Sequence, residues 1–79
     1  MSNNQSFEEK YPNLSDFVYY QGKIEIGYDE NTGSFVMAYD EGGTVYIGED
    51  EYETMEDALA DLEAGITQYL EENGIDLKA

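Results

Sequence analysis

From residue 55 to residue 70, apolar side chains recur at three- and four-residue steps. They are Met55, Leu59, Leu62, Ile66, Tyr69 and Leu70, with Ala58 beside them. That spacing gathers a single stripe on one side of a helix. Thr54 stands just ahead, and Asp57 follows three residues later, the arrangement of a capping box in which the hydroxyl accepts a first-turn N–H. Glu56 and Asp57 sit where the helix dipole favours negative charge. Asn73-Gly74 supplies the stop, and Ile75 is placed to fold back as an apolar cap contact. Glu56, Asp57, Ala60, Asp61, Glu63 and Ala64 fall off the stripe and are expected to face water.

Residues 23–48 carry a different period. Ile24, Ile26 and Tyr28 alternate with Lys23, Glu25 and Gly27, the pattern of a half-buried strand. A three-residue "NTG" loop would set Glu30 opposite Ser34, Tyr28 opposite Val36 and Ile26 opposite Ala38, and put Phe35, Met37 and Tyr39 on the other face. A second turn falls in "DEGG" and a third strand in "TVYIG". Its register stays open, because two-residue and three-residue loops both fit. Upstream, Pro12 suits a first helical turn, Leu14, Phe17 and Val18 keep helical spacing, and Gly22 is a stop. These features predict a short helix over about residues 13–20, with a strand through "DFVYY" as the alternative. Residues 1–10 are polar and aperiodic and read as a disordered tail. The expected fold is α+β, a single domain over residues 11–77: a short N-terminal helix, a three-stranded antiparallel meander, and a long C-terminal helix packed on one sheet face. The second strand is apolar on both faces. The short helix could cover the second face in part; otherwise Phe35, Met37 and Tyr39 form a contact surface, for which a homodimer is the simplest occupant.

Composition narrows the function classes. The chain has 79 residues, no Cys and no His, so it holds neither disulfides nor thiolate or imidazole metal ligands. Nineteen acids against three Lys give a net charge of −16. That charge opposes direct nucleic-acid binding and anionic membranes, and it favours basic protein surfaces. No signal peptide or membrane-length apolar stretch is visible, which points to a cytoplasmic protein.

The acids concentrate in "GEDEYETMEDALADLE". Its helical half reads mostly as a solvated face. The loop acids Glu49, Asp50, Glu51 and Glu53 crowd around Tyr52 without a neutralising residue. Continued by Asp57 and Asp61, they form the candidate partner-binding surface. Residues two apart on one face of a strand are separated by a step of the same order as successive phosphates, so mimicry of nucleic acid is geometrically open. Catalysis is poorly supplied, since no His serves as base and no Cys as nucleophile. Paired carboxylates need a deep pocket to lift one pKa, and a chain this short scarcely forms one. The segment "DENTG" begins like a calcium loop, but its glycine comes one residue early and Asp40 stands where the closing Glu belongs. No metal, cofactor or enzyme activity is expected.

"TMEDALADLEAGITQYL", residues 54–70, resembles the helix of HicB-type antitoxins in the register of Thr54, Met55, Glu56, Asp57, Ala58, Leu59, Ile66, Tyr69 and Leu70. The resemblance extends over residues 23–72, with strands preceding the helix, although "DEGGTVYIG" replaces the family's Pro-Asp-Leu-Pro-Gly segment. The chain is also similar to small acidic bacterial proteins with an "IEIG…DEGG…YET" arrangement. The HicB likeness implies a β-β-β-α unit able to mask a basic RNA-binding toxin. Two functions are therefore expected in outline: a non-catalytic protein-interaction module, or an inhibitor or nucleic-acid mimic that blocks a basic cleft on its partner.

Overall fold

The computed structural model describes residues 6–28, 30, 31 and 33–77. In chain order the elements are α1 (Phe7–Lys10), α2 (Pro12–Tyr20), β1 (Gly22–Ile26), β2 (Val36–Asp40), β3 (Gly43–Ile47) and α3 (Met55–Asn73). This is an α+β fold, with helices at both ends of a three-stranded antiparallel sheet of order β1-β2-β3.

Each helix starts where an oxygen can accept its first free N–H groups. Thr54 Oγ1 accepts from Asp57 N at 3.0 Å and opens α3. Gly74, in the left-handed region, closes it, with Ile75 N donating to Leu70 O at 2.9 Å. Ile75 packs on the core as the sequence predicts. The segment read as a tail needs correction over residues 7–10. Ser6 and Glu9 form a reciprocal capping box, with bonds of 3.2 and 2.9 Å, and this suffices to start α1. Residues 1–5 lie outside the described residues. Residues 13–20 are helical, within α2, and not a strand. The N-cap of α2, Tyr11, offers no side-chain acceptor. Glu63 on α3 supplies it instead, accepting from Leu14 N at 2.7 Å and Asn13 N at 3.2 Å.

The first hairpin pairs Ile26 with Val36 and Ile24 with Ala38, two residues away from the expected register. The connection is longer than "NTG", since Gly27 N still bonds Phe35 O at 2.8 Å. Asp29 and Thr32 of that connection are outside the described residues. A two-residue slip keeps the side chains within β1 and β2 on their expected faces. The second hairpin turns through Glu41-Gly42, with Asp40 opposite Gly43, which settles the open register. A bulge between Ala38 and Tyr39 leaves Val45 as the extra residue of β3.

The core lies on one side of the sheet only. Val36 and Ala38 of β2 meet Leu14 and Phe17 of α2 and Ala58, Leu62 and Ile66 of α3, all fully buried. Helix α3 packs on β2 and β3, whereas α2 packs on β1 and against α3. One expectation changes accordingly: the short helix does not cover the second sheet face, but packs on β1, the strand carrying Ile24 and Ile26. Met55, the first residue of the stripe, stays 54 % exposed. Gly65, by contrast, is buried: the ring of Tyr46 rests on it, and a Cβ there would come within 2.5 Å of that ring.

Two substitutions test this packing by thermal or denaturant unfolding. Leu62→Ala removes a fully buried side chain and should cost about 2–5 kcal/mol. Gly65→Ala would stabilise an open helix by roughly 0.5–1 kcal/mol. Here it should lower the melting temperature, because the added methyl must displace Tyr46.

Candidate functional site

The acidic loop follows β3 and is held by backbone and phenol. Gly48 N bonds Val36 O at 3.0 Å, and Phe35 N bonds Glu49 O at 2.8 Å, so strand pairing runs on past Ile47. Tyr52 then turns inward. Its hydroxyl accepts from Glu49 N at 2.8 Å and donates to the Asp61 carboxylate. Gly48 makes room, since a Cβ there would sit 2.3 Å from both the Tyr52 oxygen and Val36 Cγ2. With Tyr52 pointing in, Glu49, Asp50, Glu51 and Glu53 point out, and all four are exposed. Asp57, in the first turn of α3, is exposed as well. These five carboxylates form an acidic rim on a fixed backbone.

Asp61 does not belong to that rim. It is half-buried and accepts from two phenols, Tyr46 at 2.5 Å and Tyr52. Asp61 and Gly65 are one helical step of four apart, so both face the ring of Tyr46 on β3. Glu63 is likewise half-buried, on the opposite flank of Leu62. Besides the two backbone N–H groups of α2, it accepts from Asn13 Nδ2 at 3.0 Å and Thr67 Oγ1 at 3.2 Å. Two carboxylates assigned to water by the sequence are therefore internal acceptors.

The other candidate surface is the sheet face opposite the helices. Met37 and Tyr39 lie there half-buried, and Ile47, paired across from Met37, is 57 % exposed. Tyr39 donates to Glu25 Oε2 at 2.9 Å, and Lys23 Nζ lies 5.8 Å from the centre of its ring. Phe35, expected in this strip, is half-buried and edge-on to Tyr52 at 6.1 Å, and it packs against the core. Ile47 takes its place in the strip, a residue the open register of β3 had left unassigned. Tyr46 and Tyr52 were the other omissions; a tyrosine set among four acids was the available signal for Tyr52.

Among the described residues, no group of three or more acids is placed to hold a metal ion. Nor is any helix among them long and apolar enough to cross a membrane. Comparison of the chain with protein-family models, curated proteins and solved structures gives no match. The resemblance to HicB-type antitoxins thus rests on the helix and strand order of this chain alone.

The phenols give the site a pH signature. Burial, then the bond to Asp61, pushes Tyr52 up to about 12, and the same two causes push Tyr46 higher still. An unfolded tyrosine titrates near pH 10. The folded state holds these protons more tightly, so their contribution is complete below about pH 10 and is lost as pH rises through about 12. Ultraviolet titration of tyrosinate in this Trp-free chain should show a late class of phenols whose ionisation coincides with unfolding. Asp61→Ala should bring that class toward pH 10 and cost about 1.5–3 kcal/mol of stability.

Proposed function

We propose that the chain is a small non-catalytic interaction module that binds a basic protein across the bare side of its sheet. The observation that carries this reading is the one-sided core: α2 and α3 both pack on the same face, and no helix lies over Met37, Tyr39 and Ile47, the first two half-buried and the third exposed. Apolar strips of this kind on a polar surround mark contact surfaces. Charge selects the occupant. A second copy would bring a further −16 and repel, whereas a basic surface is attracted. The acidic rim at Glu49, Asp50, Glu51, Glu53 and Asp57 steers such a partner and sets the salt dependence of its arrival. Where the partner's basic cleft otherwise holds nucleic acid, occupancy makes the chain an inhibitor, and the fixed outward display of the rim favours that version. A cytoplasmic setting goes with this reading, since a chain without Cys needs no oxidising compartment.

The test is a photo-crosslinking side chain at position 37, used in the cells that make the protein, followed by reconstitution with the purified captured partner. A one-to-one complex with a basic protein is expected. Its association should slow as salt rises, and Asp50→Lys with Glu53→Lys should slow it further while stability stays within about 0.5 kcal/mol of the parent. Crosslinks only between copies of the chain would replace the basic partner with a homodimer. Absence of any crosslink, or an association rate indifferent to salt and to both reversals, overturns the proposal.

A further inference from the structure

At the end of the sheet away from the acidic rim, α2 runs into β1 and β2 turns into β3. Four of the eight tyrosines collect here. Tyr19 and Tyr20 are 80 % and 60 % exposed, with ring centres 5.3 Å apart. Tyr39 and Tyr69 come from the sheet and from α3. Two adjoining hollows of about 400 and 360 Å³ meet at Tyr20, the first walled also by Tyr19 and Tyr39, the second by Tyr69. Asp40 and Glu41 line both.

Tyr69 packs against the core, but nothing in the core requires the rings of Tyr19 and Tyr20. Tyr19 and Tyr20 are mostly exposed, and they place two aromatic faces beside a carboxylate pair. Asp40 is held firmly in place: Gln21 Nε2 donates to Oδ2 at 2.9 Å, Gly42 N to Oδ1 at 2.8 Å, and the Tyr69 hydroxyl to Oδ2 at 3.3 Å. The Gln21 amide first, and then the Gly42 N–H, hold its carboxyl below the usual carboxylate range. Burial and the neighbouring Asp40 push the Tyr69 phenol up, so it stays neutral where Asp40 is charged. One cation already uses the aromatic wall, for Lys23 stands over Tyr39.

We propose that this corner is a second contact site, which takes an arginine side chain of the basic partner between Tyr20 and Tyr39 with its charge toward Asp40 and Glu41. The inference rests on the basic-partner reading above and names the chemistry of one of its contacts. Guanidinium fits better than ammonium because it is planar, weakly hydrated and stacks on aromatic faces while bonding carboxylates. A hollow walled by rings and acids, with Lys23 its single basic lining residue, disfavours anionic groups and gives neutral ones no charge attraction.

The probe is a capped five-residue glycine peptide with one central arginine, titrated into protein carrying 13C-labelled tyrosine rings and followed by NMR. Saturable shifts of the Tyr20 and Tyr39 rings are expected in the millimolar range, as suits a single side chain. The neutral isostere, citrulline in place of arginine, should give none. Tyr20→Ala should weaken binding about five- to tenfold with the fold intact, because the ring is exposed. Asp50→Lys with Glu53→Lys should leave the ring shifts in place. Equal binding of the citrulline peptide, shifts confined to residues 49–53, or no shift at all overturns the corner site. The crosslink at position 37 judges the basic-partner reading separately, so the two failures are distinguishable.

Discussion

The position of α2 follows from Glu63, and the exposed half of the molecule follows from α2. A nine-residue helix without a side-chain cap of its own is too short to persist alone in water. Glu63 satisfies its first N–H groups from the flank of α3, next to the fully buried Leu62. That bond obliges α2 to lie alongside α3, and therefore on the same side of the sheet. Leu14 and Phe17 then complete the core that Val36 and Ala38 begin. No further helix crosses the other side among the described residues, so Met37, Tyr39 and Ile47 stay at the surface.

The acidity of the chain is accordingly of two kinds. With three Lys and no Arg, its carboxylates have few cations to meet. Asp61, Glu63 and Asp40 meet phenols, amides and backbone N–H groups instead, and hold together loop, helix and turn. Charge-assisted bonds of this sort are stronger than neutral ones and need no partner charge. Glu49, Asp50, Glu51, Glu53 and Asp57 have no such internal duty and create the outward field. The ion pair of Lys10 with Glu56 joins α1 to the start of α3 at the surface, where screening leaves little net effect.

Much of the fold was legible because it depends on local chemistry. Thr54 with Asp57 starts a helix and Gly74 ends it whatever lies around them. The strand faces survived an error of two residues in register, since side-chain direction repeats every two. What lay hidden was decided by neighbours that the pattern does not name. Asp61 and Glu63 flank Leu62 at equal angles around the helix, and a helical wheel puts both at the edge of the wet side. Whether that edge is wet depends on the ring of Tyr46 on one flank and on α2 on the other. Gly65 reads as a weak point of a helix until that ring is seen lying on it. Phe35 was assigned by alternation from Met37, but its contact with Tyr52 comes from a loop whose path only the folded chain defines.

The molecule measures 37 × 35 × 18 Å, a slab of two layers with helices on one side and bare sheet on the other. Domains are built from two, occasionally three, packed layers, and this one has two, with the outer face of its sheet open. A partner element laid on Met37, Tyr39 and Ile47 would add about 10 Å of thickness and turn the sheet into the middle of a sandwich. The interface would then be built as an interior is built, with β2 buried on both faces and its pleat reading into two cores at once. In that arrangement the bound state would be a three-layer sandwich, with two of its layers supplied by this chain.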